Sequence, residues 1–152
     1  MHRLYENADL AVFWNSDKCY HARQCVTGSP GTFDKDRRPW IDLSLAPNEE
    51  IWKAIEKCPS GALKVVYKHE VEVVFEPEKC HSIAMDNKNV IGECDYEITT
   101  AGWNIYHTEV DPKYSGKGIA KRLVYKVLEA ADRSNVKYSA TCSYAEKIIG
   151  EQ

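Results

Sequence analysis

HTEVDPKYSGKGIAKRL, His107 to Leu123, reads as the end of a strand, a glycine turn and the start of a helix. Trp103 to Asp111 is a strand by its alternation, and Gly116 to Arg133 is the clearest helix in the chain. Its apolar stripe is Ile119, Leu123, Val124, Val127, Leu128 and Ala131. Gly116 and Gly118 stand at alternate positions in the turn, where backbone N–H groups can approach a ligand closely. The helix N-terminus adds about half a positive charge, so the turn suits a pyrophosphate, and Lys113, Lys117 and Lys121 add charge nearby. It is neither a Walker A loop nor a GxGxxG fingerprint. The two glycines alone read as a plain strand-to-helix turn, and only the flanking motifs favour a ligand site.

Working outward, Lys64 to Glu76 and Val90 to Thr99 read as strands, with Asn87 and Ala101-Gly102 as hairpin-like turns. A last strand is expected through Lys137 to Tyr144. Toward the N-terminus, Leu10 to Trp14 reads as a buried strand. Cys19 to Trp40 is broken by Gly28, Pro30, Gly31 and Pro39 and reads as irregular structure wrapped around something. Pro47-Asn48-Glu49-Glu50 opens a short helix with Ile51, Ala54 and Ile55 on one face, ended by Pro59 and Gly61. The pattern predicts an α+β protein of two small domains, residues 1–69 and 70–152.

The chain has 152 residues, 43% hydrophobic and 28% charged, which is ordinary for a globular protein. Leu10 to Trp14 is too short to span a membrane, and Met1-His2-Arg3 leads into Glu6 and Asp9 instead of a signal-peptide core. A cytoplasmic location with no membrane partner is expected. The net charge is -3, and neither half has the basic excess of a nucleic-acid binder. Six cysteines without an export signal suggest chemistry other than disulfides.

Cys19, Cys25 and Cys58 share one setting. Soft thiolates suit an iron–sulfur cluster, with a loop supplying two ligands and the remote Cys58-Pro59 a third. The residues leave open a cubane, a three-iron cluster, zinc held by Cys19, His21, Cys25 and Cys58, or buried thiols without metal. DKCYHARQC, then the Pro39-Trp40-Ile41 motif, then CPSGAL from Cys58 to Leu63, resembles the divergent mono-cluster ferredoxin-like family over roughly residues 8 to 66. The resemblance implies a 4Fe-4S or 3Fe-4S centre on Cys19, Cys25 and Cys58, with Ala22 where a middle cysteine is usual. His21 is the nearest candidate for a fourth ligand.

Lys113-Tyr114-Ser115-Gly116-Lys117-Gly118 resembles the acyl-CoA motif of the GNAT acyltransferases, with Lys113 where Gln or Arg is usual. His107-Thr108-Glu109-Val110 and Cys142-Ser143-Tyr144 resemble a small GNAT-like subfamily over about residues 70 to 149. The resemblance implies a compact GNAT-like α/β domain with a mixed, mostly antiparallel sheet, about half a full GNAT domain long. It also implies that acetyl-CoA or CoA is held by Thr108, Val110, Tyr114 and the amides of Ser115, Gly116, Lys117, Gly118, Ile119 and Ala120. Cys142, His107 and Tyr144 are the candidate catalytic groups: Cys142 on a strand bordering the thioester, either as the thiolate that takes the acyl group or as a buried small hydrophobe, and His107 as an orienting or packing residue. Cys80 and Cys94 are read as structural. The expected activity is N-acyl transfer from acyl-CoA to an unknown amine, with a redox or regulatory role for the cluster and its redox partner. The alternative is an electron-transfer or sensing protein that holds CoA without turnover.

Overall fold

The computed structural model describes residues 1–19 and 24–150. They form two compact units, one of Arg3–Tyr67 and one of Lys68–Gln152, with the two N-terminal residues divided between them. Among the described residues no helix is long and apolar enough to cross a membrane.

The first unit is a three-stranded sheet with two helices. Strands β1 (His2–Glu6), β2 (Leu10–Asn15) and β3 (Leu63–Tyr67) lie in that order. β2 and β3 are antiparallel, from Leu10 opposite Tyr67 to Trp14 opposite Leu63. The segment from Cys19 to Trp40, read as irregular, contains the short helix α1 (Gln24–Gly28). Helix α2 (Asn48–Glu56) buries Ile51, Ala54 and Ile55, the face its spacing predicts. These pack with Leu10, Val12, Phe33, Ile41 and Leu63 into one core. Between the helices, Arg37 donates to the carbonyls of Gly31 (2.9 Å) and Thr32 (2.8 Å), which gives a stretch without regular structure a fixed path.

The second unit has the sheet order β4 (Val71–Glu76), β5 (His81–Asp86), β6 (Asn89–Thr99), β7 (Gly102–Val110), β8 (Tyr138–Ala140). Every neighbouring pair is antiparallel except β7 with β8, so the sheet is mixed and mostly antiparallel. Helix α3 (Ile119–Arg133) buries the whole stripe read from the sequence. It starts later than the expected Gly116, because Gly116 (φ 78°) and Gly118 (φ 74°) are both left-handed.

Two further readings change. The strand-like run Lys64 to Glu76 is β3 and β4 in different sheets, separated where His69 (φ 54°) and Glu70 (φ 62°) turn the chain. The last strand ends at Ala140, and Ser143–Gly150 is a helix, α4. Ala145 and Ile148 are buried at helical spacing, and that burial overrides the alternation Tyr138, Ala140, Cys142, Tyr144. Arg122 was not foreseen in the core, yet it is fully buried within α3. Its guanidinium donates to the carbonyl of Val71 at 2.7 Å, which ties the start of β4 to the helix.

Candidate functional site

In the first unit, Cys19 follows a single 3-10 turn (Ser16–Lys18) that Asn15 caps by accepting from the Asp17 amide. Cys25 lies in α1, and Cys58 follows the end of α2, its amide donating to Ile55 O at 3.0 Å. Gly28 lets α1 approach α2 closely, since a Cβ there would come 3.0 Å from that of Ala54. Cys25 and Cys58 are half-buried against the core.

Electrostatically the three thiols belong together. Burial pushes the Cys25 thiol up, and the charges of Cys58 and Cys19 add to that. Burial pushes Cys58 up as well, but the Ser60 hydroxyl and the amides of Leu63, Ser60 and Ala62 outweigh it and hold this thiol below its ordinary value. CPSGAL is thus a nest of donors around one sulfur, curled at Gly61 (φ 73°). Soft thiols near enough to raise one another's pKa, one of them, Cys58, ringed by backbone amides, are a donor set whose chemistry fits an iron–sulfur centre. His21, the expected fourth ligand, lies outside the described residues.

In the second unit, β7 runs into a 3-10 turn (Pro112–Tyr114), where the Asp111 carboxylate accepts from the Lys113 amide at 3.0 Å. The Tyr114 hydroxyl donates to the Asp86 carboxylate, which anchors the turn to the end of β5 and raises the phenol's pKa. Ser115 and Gly116 are exposed, and a Cβ built on Gly116 would meet nothing within 4 Å. Gly116 is therefore required by its left-handed backbone and not by a close neighbour, and the space beside it is open.

β7 itself is irregular where this matters. Asp95 pairs with His107 and Tyr96 with Ile105, so Tyr106 is an extra, bulged residue and is 52% exposed. On the other side β8 stops pairing at Ile105, whose carbonyl accepts from the amides of Thr141 (3.0 Å) and Cys142 (3.1 Å). Tyr106 to Val110 run on past the end of β8, leaving one edge of β7 without a strand neighbour among the described residues.

Cys142 stands at that fork. It caps α4, with its carbonyl accepting from the Glu146 amide at 2.9 Å. Its sulfur is 3.5 Å from Thr108 Oγ1, which in turn is 3.6 Å from Cys94 Sγ. Burial pushes the Cys142 thiol up, but the Ala145, Tyr144 and Thr108 amides and the Thr108 hydroxyl together hold it below its ordinary value. Burial pushes Cys94 up to about 12, so it is a structural thiol. The two cysteines of one hydrogen-bonded chain are therefore expected to differ in reactivity. At neutral pH, limited iodoacetamide is expected to alkylate Cys142 and spare Cys94, and to label Cys58 ahead of Cys25 in cluster-free protein. Peptide mass spectrometry of a time course checks both orders.

The structure thus brings Thr108, Cys142 and the first turn of α4 with Tyr144 together. It does not bring His107 to them. Adjacent strand residues point to opposite faces, and His107 Nε2 lies 3.3 Å from Glu109 Oε2 and 3.9 Å from Glu93 Oε1. Burial and the neighbouring Asp95 push the Glu93 carboxyl up. Sequence reasoning missed Glu93, Asp95 and His81 on this face, because only the strand register aligns them.

Comparison with known proteins divides the chain in the same manner. Residues 5–68 match the family model of a divergent 4Fe-4S mono-cluster domain, and residues 81–152 that of a GCN5-related N-acetyl-transferase. An uncharacterized protein, YjdI, of Escherichia coli K12 is 36% identical over 69 residues, covering 45% of this chain and 88% of YjdI. A GCN5-like candidate N-acetyltransferase from Staphylococcus aureus, solved by NMR, is 28% identical, with 53% of this chain and 79% of that one covered at a TM-score of 0.42. An acetyltransferase from Trypanosoma brucei is 15% identical, with 50% of this chain and 65% of that one covered at a TM-score of 0.37.

Proposed function

Because the chain belongs to the divergent 4Fe-4S mono-cluster family over residues 5–68 and to the GCN5-related N-acetyltransferases over residues 81–152, we propose that it transfers an acyl group, acetyl first, from CoA to an amine. The observation that carries this reading is the open Ser115–Gly118 turn at the head of α3, beside the unpaired edge of β7.

In this reading the amides from Ser115 to Ala120 hold the pyrophosphate, aided by the α3 N-terminus and Lys117. Tyr114, pinned by Asp86, fixes the entry to the turn. The edge of β7 around Val110 takes the amide-bearing pantetheine arm as a strand would, with Thr108, whose amide is given to the Cys142 sulfur, beside it. A β7 amide beside the bulge donates to the thioester oxygen as its negative charge develops. The Cys142 thiolate attacks the thioester carbon, the carbon–sulfur bond to CoA breaks, and CoA leaves as its thiolate. An amine then attacks the Cys142 thioester, loses a proton to water or to the departing sulfur, and regenerates Cys142. Tyr144 closes the Cys142 side of the pocket, and His107 orients β7 from its other face.

Cys19, Cys25 and Cys58 would hold the iron–sulfur cluster, which would supply one-electron chemistry. Through these thiols the first unit would serve a redox or regulatory role beside the acyl-transfer unit. The test of the acyl-CoA site is Gly116→Val, since a β-branched residue resists the left-handed backbone. CoA affinity measured by calorimetry is expected to fall by about tenfold or more, the equivalent of at least ~1.4 kcal/mol, with the far-ultraviolet circular dichroism unchanged. Unchanged affinity would remove the turn from the site.

A further inference from the structure

The second sheet carries a row of alternating acids and histidines of which N-acyl transfer uses only His107. Glu76 of β4 stands opposite His81 of β5, His81 opposite Asp95 of β6, and Asp95 opposite His107 of β7. In the next row, Glu93 of β6 stands opposite Glu109 of β7. The intervening residues Ser82 and Cys94 are buried, and Ser82 donates to Leu123 O of α3 at 2.8 Å. The carboxylates and imidazoles therefore project together from the face turned away from α3.

Their geometry goes beyond a charge ladder. One donor atom from each of His81, Glu93 and Asp95 lies within 4.8 Å of the other two, and all three residues are half-buried. His81 Nε2 is 2.7 Å from Glu76 Oε1, while Nδ1 on the opposite side of the ring is 3.4 Å from Asp95 Oδ1. A carboxylate behind the ring that fixes its tautomer and aims the other nitrogen at a group of oxygens is the usual support of a metal-ligating histidine. A second triple, Glu93, His107 and Glu109, shares Glu93 and concentrates further negative charge beside it. The ion pairs of both histidines among the described residues are all to these carboxylates.

We propose that His81 Nδ1, Glu93 and Asp95 bind a divalent first-row transition-metal ion, with Glu76 holding the His81 ring in place. One imidazole nitrogen with carboxylate oxygens suits Mn, Fe, Co, Ni or Zn, in contrast to the all-sulfur set of Cys19, Cys25 and Cys58. The site is independent of the acyl-transfer reading and stands or falls without it.

Manganese separates the two metal centres, because thiolates are poor ligands for it. The full chain is titrated with Mn2+ while the unbound ion is followed by electron paramagnetic resonance. One Mn2+ per chain is expected, with affinity reduced by about tenfold or more in His81→Asn and in Asp95→Asn. Glu76→Gln, which leaves all three ligands in place, is expected to weaken binding by about tenfold at unchanged stoichiometry, and it carries the test if a ligand variant fails to fold. Cys58→Ser binds as the parent does. Binding absent up to about 1 mM, the weak end of protein metal sites, overturns the proposal. So does parental affinity in Glu76→Gln and in whichever of His81→Asn and Asp95→Asn fold.

Discussion

Replacing Cys142 by alanine is expected to lower acyl transfer by on the order of a thousandfold or more while leaving CoA affinity within about twofold. The size of the effect follows from the position of the sulfur. It caps α4, takes hydrogen bonds from the Ala145, Tyr144 and Thr108 amides, and lies 3.5 Å from the Thr108 hydroxyl. Those donors favour the thiolate, which is the nucleophilic form. The same reasoning fixes the pH dependence. A thiol held below its ordinary value loses its proton earlier, so kcat/KM should rise with pH and level off before about 8.5, the ordinary thiol value. Retention of most activity in Cys142→Ala would assign transfer to direct attack by the amine, and the acid limb would then have another source.

The second large effect concerns the first unit. Cys58→Ser is expected to leave the chain without a stable cluster, so iron and acid-labile sulfide fall to background after anoxic reconstitution while the parent retains both. Serine keeps the shape of the site but offers a hard oxygen where soft iron–sulfur chemistry needs a thiolate. Cys58 is also the sulfur that CPSGAL wraps with three backbone amides, so its loss removes the best-prepared ligand of the three. Cys80→Ser serves as the control, since Cys80 belongs to the second unit and to the turn before β5. Equal iron and sulfide in Cys58→Ser would contradict the ligand set, and stoichiometric zinc in the parent would replace the cluster with a structural metal.

What could be read in advance depended on whether periodicity or register carried the information. The α2 face of Ile51, Ala54 and Ile55 and the α3 stripe from Ile119 to Ala131 were legible, because an amphipathic helix writes its buried face at fixed spacing. Strands β6 and β7 were legible from alternation. The turn at His69 and Glu70 was not, because left-handed backbone is normally signalled by glycine or asparagine. Nor was α4, whose first residues continue the alternation of β8 until Ala145 and Ile148 bury at helical spacing. Arg122 was hidden because an arginine beside an apolar stripe ordinarily reaches water, whereas here the Val71 carbonyl receives it.

The candidate sites divide along the same line. Cys19, Cys25, Cys58 and the glycine turn follow from local spacing. The Thr108, Cys142 and Cys94 chain and the row from Glu76 to His107 exist only through pairings between distant strands. A one-residue slip of any of these strands would turn those side chains to the other face.

Turnover itself is the decisive observation for the function proposed here. The anoxically prepared full chain is incubated with isotope-labelled acetyl-CoA and a pooled set of amines containing polyamines, amino acids and lysine peptides, and the products are read by mass spectrometry. The predicted result is a labelled N-acetyl product formed with an equal amount of free CoA, and a labelled acetyl group on Cys142 when amine is withheld. Acetyl-CoA that binds at the Ser115–Gly118 turn and is recovered intact, with no labelled amine and no labelled protein, would contradict the account and leave a CoA-binding module in place of an acyltransferase.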